Sequence, residues 1–278
     1  MDVIADQQEI DFRLLLEAVH MKYGYDFRGY AQSSMERRIS SILSKFSIPS
    51  VPVLMNKLMA DSDFFRSVLP HLTITTTEMF RDPGFFRKLR EEVVPALRTY
   101  PSLNIWVAGC SYGQEAYSLA ILLQEEGLLD RSVIFATDVN PLALKNAREG
   151  IFPLENIQVY TKNYIESGGQ KAFSSYYTAD YGFARMSADL KDNMVFSEHN
   201  LGTDGVFAET HLVLCRNVLI YFDKQLQNRV LALFRESLRH LGFLGLGSKE
   251  NLRFSDQSFA FDVRDDRQKI YQKRLGNL

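Results

Sequence analysis

Asn104-Ile-Trp-Val-Ala-Gly-Cys-Ser-Tyr-Gly-Gln-Glu-Ala-Tyr-Ser-Leu-Ala-Ile121 reads as a buried strand, a turn of small residues and a helix, in that order. Ile105, Trp106 and Val107 form the short apolar run of a parallel strand. Ala108, Gly109, Ser111 and Gly113 keep the turn free of bulk, so a ligand can approach the backbone. Leu119, Ile121, Leu122 and Leu123 then supply the helix with an apolar face. Strand, tight turn and helix N-terminus together make a cradle for a nucleotide-like group. The GxGxxG spacing that suits a pyrophosphate is missing, and Glu115 in the first helical turn would repel an anion. S-adenosylmethionine, with its ammonium, sulfonium and ribose, fits such a turn better than NAD.

Working outward, Val133-Ile-Phe-Ala-Thr-Asp138 is a second apolar strand that ends in a carboxylate. In doubly wound folds an acid at this strand tip accepts hydrogen bonds from ribose hydroxyls. Asn140-Pro141 opens the next helix. The alternative is an ordinary α/β domain in which Asp138 merely caps that helix. Leu212-Val-Leu-Cys215 is a further strand, Lys224 to His240 an amphipathic helix, Phe243-Leu-Gly-Leu-Gly247 another strand, and Gln268 to Lys273 closes the sheet. Before the sheet, Phe12, Leu15, Leu16 and Val19 recur at helical spacing, as do Ile39, Ile42, Leu43 and Phe46. Asp82-Pro83 is a helix start, with Asp82 as N-cap, for a linker helix ending near Arg98. The aromatic stretch Ser174 to Ser187 has no helical period and is hairpin-like. It reads either as a functional insertion or as a plain surface hairpin.

Composition narrows the class. The chain has 278 residues, 46% hydrophobic and 24% charged, enough to bury a sizeable core in two domains. A net charge of −2 gives no global field for nucleic acid or membrane. Cys110 and Cys215 are too few for a disulfide framework and read as small buried thiols. The N-terminus carries no signal-like apolar core, and no apolar run approaches the roughly 18 residues of a membrane span. A cytoplasmic enzyme is expected. The five histidines show no metal-ligand spacing, so no metal site is expected.

Three blocks carry a resemblance. Ile74-Thr-Thr-Thr-Glu-Met-Phe-Arg-Asp-Pro83, Ala108-Gly-Cys-Ser-Tyr-Gly-Gln-Glu-Ala-Tyr-Ser118 and Leu214-Cys-Arg-Asn-Val-Leu-Ile-Tyr-Phe-Asp223 resemble the signature blocks of the CheR family, in the family's order. These are S-adenosylmethionine-dependent methyltransferases that esterify glutamate side chains of chemotaxis receptors, leaving S-adenosylhomocysteine. The resemblance covers nearly the whole chain. It implies an α/β, Rossmann-like methyltransferase domain over 102–278 with a small antiparallel β subdomain inserted at about 173–196. An all-α N-terminal domain would occupy 1–72 and a linker with its helix 73–101.

The chemistry asks little of the protein. A glutamate carboxyl has a pKa of about 4.3 and is already ionised at neutral pH, so methyl transfer to it needs neither a general base nor a metal. Alignment of the reactants and a dry, fixed polar surrounding are what help. Arg81 offers a rigid fork matched to a carboxylate. Tyr221 follows the strand ending at Cys215-Arg216-Asn217, at the sheet edge where ligands bind in such folds. From the residues alone, Arg81 reads rather as a surface arginine pairing Asp82 or a nearby acid, and Tyr221 as a core aromatic of the run 218–222.

The resemblance favours catalytic roles for Arg81 and Tyr221, with Thr75, Thr77 and Arg81 near the cofactor. It places Glu115 at the cofactor's amino-acid end, Asp138 on the ribose, Asn200 and Leu201 beside the adenine, and Arg216 and Asn217 in the pocket wall. Three departures stand out: Thr75 for a common asparagine, Gln114 for a usual glutamate and Ala116 for a common proline.

Two further functions stay in view: a methyltransferase of the same fold acting on another carboxylate or small molecule, and a non-catalytic S-adenosylmethionine-binding regulator. Retention of Arg81 and Tyr221 argues against the second, and the added helical domain argues for a macromolecular acceptor. The expected partner is a receptor cytoplasmic domain or related signalling protein, with a monomeric enzyme. The segment 33–45 reads as a helix with Arg37, Arg38 and Lys45 on its surface. In the family a basic helix at this place faces the acidic methylation region, so Arg37 and Arg38 are candidate docking residues; a plain solvated helix is the alternative. The turn from Thr178 to Arg185 holds one glycine, and Tyr181 and Phe183 are expected to crowd the subdomain edge. No tight tether to a receptor tail peptide is therefore expected.

Overall fold

The computed structural model describes residues 6–73 and 77–275. The chain divides into two compact units: the N-terminal helices with Tyr221–Gln227, and the remainder.

The helical unit contains α1 (Gln7–Tyr23), α2 (Gln32–Lys45), α3 (Val51–Ala60) and α4 (Ser62–Leu72). The periodic residues Phe12, Leu15, Leu16 and Val19 of α1 are all buried, in one core with Met35, Ile39 and Ile42 of α2. Gly24 ends α1 in the left-handed region and donates its N–H to the His20 carbonyl at 2.9 Å, satisfying a helix-end acceptor. Asp61 caps α4 by accepting from the N–H groups of Asp63 and Phe64. The segment Tyr221–Gln227 belongs to this unit. Asp223 donates its N–H to the Gly29 carbonyl at 2.8 Å, and the rings of Phe222 and Tyr30 meet edge to face at 4.9 Å.

The second unit begins with α5 (Pro83–Lys88), a π-helical turn (Leu89–Val93) and α6 (Val94–Leu97). There follow β1 (Leu103–Ala108), α7 (Gln114–Glu125), β2 (Ser132–Asp138), α8 (Pro141–Glu149), β3 (Ile151–Pro153) and α9 (Ile157–Glu166). Then come β4 (Tyr177–Asp180), β5 (Phe183–Met186), α10 (Ala188–Lys191), β6 (Met194–Glu198), β7 (Thr210–Cys215), α11 (Lys224–Ser237, from Asn228 onward in this unit), β8 (Leu238–Leu246), β9 (Phe261–Asp265) and β10 (Ile270–Lys273).

The main sheet has the order β6-β2-β1-β7-β8-β10-β9, parallel from β6 through β8 and antiparallel at β10 and β9. The interior strand β1 is buried except at Asn104, as its apolar run requires. Trp106 packs against Phe207, Phe234 and His199, and its indole N–H donates to the Thr137 hydroxyl at 2.8 Å. Losing such a side chain to alanine typically costs about 3–5 kcal/mol.

Several expectations need correction. The amphipathic helix stops at Ser237, and residues 238–240 already run in β8, because Leu238 pairs with Thr210 of β7. The last strand, β10, does not close the sheet: β9 lies outside it. The small sheet, ordered β3-β5-β4, recruits Ile151–Pro153 and ends at Met186, whereas Met194–Phe196 pair with β2 in the main sheet. Phe183 sits on the middle strand β5, paired on both sides, so it borders no free edge; Tyr181, at the two-residue turn, is 94% exposed. Arg38 is also misplaced by the sequence reading. It is buried at 7% exposure, donates to the Leu72 carbonyl and the Ser34 hydroxyl, and lies 4.9 Å from the Tyr221 ring. Its charge suggested the surface, but position 38 falls on the same helix face as Met35, Ile39 and Ile42, so the side chain turns inward, where carbonyl and hydroxyl acceptors within this unit satisfy it. Arg37 is exposed.

Candidate active site

The turn after β1 is fixed from β2. Gly109 and Cys110 both donate their N–H groups to the Thr137 carbonyl, at 2.8 and 2.9 Å. Gly109 has φ +73°, and a Cβ there would lie 2.5 Å from the Val218 side chain, so both conformation and space require glycine. Asp138 at the tip of β2 accepts from the Ser111 N–H at 2.8 Å and the Asn140 N–H at 2.9 Å. The cap of α8 is Asn140, whose side chain accepts from Leu142 and Ala143. Asp138 therefore ties the two strand-end turns together instead of capping the helix. Burial pushes its carboxyl above the usual range, opposed by the backbone N–H groups of Asn140, Ser111 and Val139.

At the end of β7, Arg216 is the node of the site. Its side chain is 1% exposed and donates to Glu115 at 2.8 Å, to Asp82 at 2.7 Å and to the Arg81 carbonyl at 3.0 Å. Its guanidinium also lies 4.2 Å from the Phe85 ring centre. The three sequence blocks thus meet on one planar fork, which lysine could not replace. Burial raises the Glu115 carboxyl, while Arg216 and then Arg81 pull it back. Arg81 is thereby placed within electrostatic reach of Glu115.

The corner that carries Arg81 is strained. Phe80 and Asp82, on either side, have φ of 52° and 56°, a region costly for non-glycine residues. Three bonds hold it: Phe80 N–H to the Ser118 hydroxyl at 2.8 Å, the Asn163 amide to the Met79 carbonyl at 3.1 Å, and Arg216 to the Arg81 carbonyl. Asp82 holds the N-cap position of α5 as expected, but its side chain makes no bond to the helix start and takes Arg216 instead.

Among the other expected residues, Leu201 is buried at 7% exposure. Asn200 closes its own turn, accepting from the Gly202 N–H at 2.9 Å and donating its N–H to Asp204 at 2.8 Å. Thr77 is half-buried near the first block's start, and Thr75 lies outside the described residues. Tyr221 belongs to the helical unit, where its ring lies against Arg38. Asn217 takes φ 61°.

Sequence reasoning missed Glu250. This carboxylate, 4% exposed, accepts four backbone N–H groups: Asn217 at 3.0 Å, Gly247 at 2.6 Å, Val218 at 2.9 Å and Ile220 at 3.3 Å. It holds the loop after Arg216 in its left-handed bend. Its only signal was an acid just beyond the apolar strand, which nothing in the sequence distinguishes from a surface acid. Among the described residues no group of three or more His, Cys, Asp or Glu is placed to hold a metal. No helix among them is long and apolar enough to cross a membrane.

Comparisons with known proteins bear on the family. The family model described as CheR methyltransferase, SAM binding domain, matches residues 75–267, and that of the CheR methyltransferase all-alpha domain matches 10–73. A Pseudomonas putida protein carrying the methyltransferase name Cher3 is 51% identical over 265 residues, covering 95% of this chain and 97% of that one. A chemotaxis protein methyltransferase of Listeria innocua is 28% identical over 246 residues, covering 88% and 91%. Among solved structures, the glycopeptide N-methyltransferase MtfA with sinefungin is 13% identical with a TM-score of 0.37, covering 62% of this chain and 50% of that one, a likeness too slight to add anything.

Proposed function

The chain belongs to the CheR methyltransferase family, and from that premise we propose that it methylates the γ-carboxylate of glutamate residues in a chemotaxis receptor or related signalling protein. The observation that carries the reading is the convergence of Glu115, Asp82 and the Arg81 carbonyl on the buried Arg216 guanidinium at the mouth of the β1 turn.

The donor set fits S-adenosylmethionine. Glu115 and Asp138 are acceptors suited to an ammonium and to ribose hydroxyls, and a buried Arg216 Nε without a partner among the described residues is a donor left for a carboxylate. When bound, the cofactor supplies a methyl group on a positively charged sulfur. Within the proposal, Thr77, Asn200, Leu201 and Asn217 line its pocket, and Thr75 joins them by resemblance alone. Arg81, held by its strained corner, orients the acceptor carboxylate, and Tyr221 contacts the reaction centre. The acceptor arrives ionised, so these residues position charges and exclude water; no proton is moved. The reading places the enzyme at the receptor's cytoplasmic part. It acts without a tail-peptide tether, because the β4–β5 turn is only two residues long and carries the exposed Tyr181.

The test uses labelled cofactor with membranes and lysate of the source cell. A protein methyl ester that releases methanol at high pH is expected; a base-stable product would exclude glutamate as acceptor. Arg81→Ala should slow transfer by on the order of a hundredfold without a comparable loss of folding. Asp138→Ala should weaken both S-adenosylmethionine and S-adenosylhomocysteine in calorimetry, since ribose hydroxyls lose their acceptor. Wild-type protein giving no heat with either compound would sink the cofactor assignment.

A further inference from the structure

A cavity of about 640 Å³ lies between the start of α7, α9 and the small sheet, and of its lining residues only Thr77 belongs to the site above. Phe152, Phe183, Tyr112 and Tyr160 supply aromatic surface, Glu78 a carboxylate, and Gln114, Asn146, Asn156 and Thr77 neutral polar groups. Gln114 is 6% exposed; its side chain reaches the Tyr160 hydroxyl, yet its Oε1 has no partner among the described residues. A buried carbonyl without a donor is costly, and a ligand that brings an N–H group relieves it. Burial raises the Tyr160 hydroxyl first, and the Glu78 charge adds to it, so the carboxylate's field reaches across the cavity.

The charge of the walls selects among ligands. Glu78 is the only charged side chain among the described lining residues, and none of them is Lys, Arg or His. A carboxylate or phosphate entering here would find neutral amides and hydroxyls but no cationic side chain to offset the Glu78 charge. A guanidinium or ammonium on an aliphatic stem meets the opposite situation: acceptors for its N–H groups and aromatic faces for its charge and stem. Gln114 immediately precedes Glu115, so the cavity borders the cofactor cradle at the first turn of α7.

We propose that this cavity is an acceptor subsite that receives an arginine or lysine side chain lying near the methylated glutamate. The proposal rests on the reading that the acceptor is a protein glutamate, and it makes a nearby basic residue part of what the enzyme recognises.

N-acetyl-arginine N-methylamide and its lysine counterpart are titrated into the full chain saturated with S-adenosylhomocysteine, with capped norleucine and capped glutamate alongside. Aromatic resonances of Phe152, Phe183, Tyr112 and Tyr160 are followed. The capped cations should shift these four rings and bind more tightly than norleucine. Glu78→Gln should weaken them by about fivefold, the scale of one partly exposed ion pair, and Gln114→Glu should tighten them, both leaving S-adenosylhomocysteine affinity unchanged. In the methylation assay the capped cation should compete with the acceptor and not with the cofactor. Norleucine or glutamate binding as well as arginine, unshifted rings, or the two variants acting in the same direction would each overturn the cation site. Binding as described in a chain that methylates no protein glutamate would instead overturn the acceptor reading, and with it the acceptor half of this proposal, while upholding the cavity's cation preference.

Discussion

Replacing Glu250 by glutamine removes one carboxylate oxygen and puts an NH2 group in its place. In either orientation that NH2 faces two backbone N–H groups that had an acceptor: Asn217 and Gly247, at 3.0 and 2.6 Å, or Val218 and Ile220, at 2.9 and 3.3 Å. Two donors left without acceptors cost about 1–3 kcal/mol each, so the change should cost about 2–6 kcal/mol. Burial, the largest influence on Glu250, already raises its carboxyl, so relief of a buried charge moves the result toward the lower end. At about 2 kcal/mol, a domain of this size would lose roughly 4–8 °C in Tm. The single tryptophan, Trp106, lies in the interior strand β1 and reports unfolding of the sheet by fluorescence during a urea titration. Cofactor affinity should fall as well, because Asn217 is held in its left-handed bend by this carboxylate. A Glu250→Gln protein within about 0.5 kcal/mol of wild type, the range of ordinary surface substitutions, would show that the four N–H groups do not depend on this acceptor.

Four further outcomes are expected. Arg216→Lys should lose most activity and about 3–5 kcal/mol of stability, as for a broken buried pair, since one ammonium cannot bridge Glu115, Asp82 and the Arg81 carbonyl; a fully active lysine variant would remove the fork from the argument. Glu125 feels burial first, which raises its carboxyl, but the hydroxyls of Tyr164 and Tyr176, the Gln170 N–H and Arg90 outweigh that and leave it below the ordinary glutamate value of 4.5. Its stabilising contribution is thus present above pH 4.5 and lost as pH falls, so the stability gap between wild type and Glu125→Gln should close in acid; a gap independent of pH would contradict this. Tyr221→Phe keeps the ring over Arg38 and should preserve folding while lowering methyl transfer; equal activity would make Tyr221 purely structural. Arg37→Glu should raise acceptor KM, most at low salt, with cofactor affinity unchanged, and no change in KM would take α2 off the docking surface.

The strand-turn-helix at 104–121, the acid at 138 and the helical period of α1 were readable in sequence because each rests on short-range rules. A covered parallel strand must be apolar, a tight turn must be small, and a helix must repeat its buried face. The small-sheet boundary was not readable, since β3 pairs with β5 across an intervening helix and local pattern carries no information about that partner. The same holds for charges. Arg38 and Arg37 are adjacent and chemically identical, yet only the first finds the Leu72 carbonyl and turns inward. Asp82 looks like a cap by sequence, but an arginine more than a hundred residues away claims it. Glu250 has no local signature at all, because its four donors come from two separated loops. Residue type and spacing determined which backbone segments could form and what chemistry was available. Which charge meets which partner was decided by the fold alone, because a buried ion or N–H group is satisfied by whatever the tertiary structure brings within 3 Å.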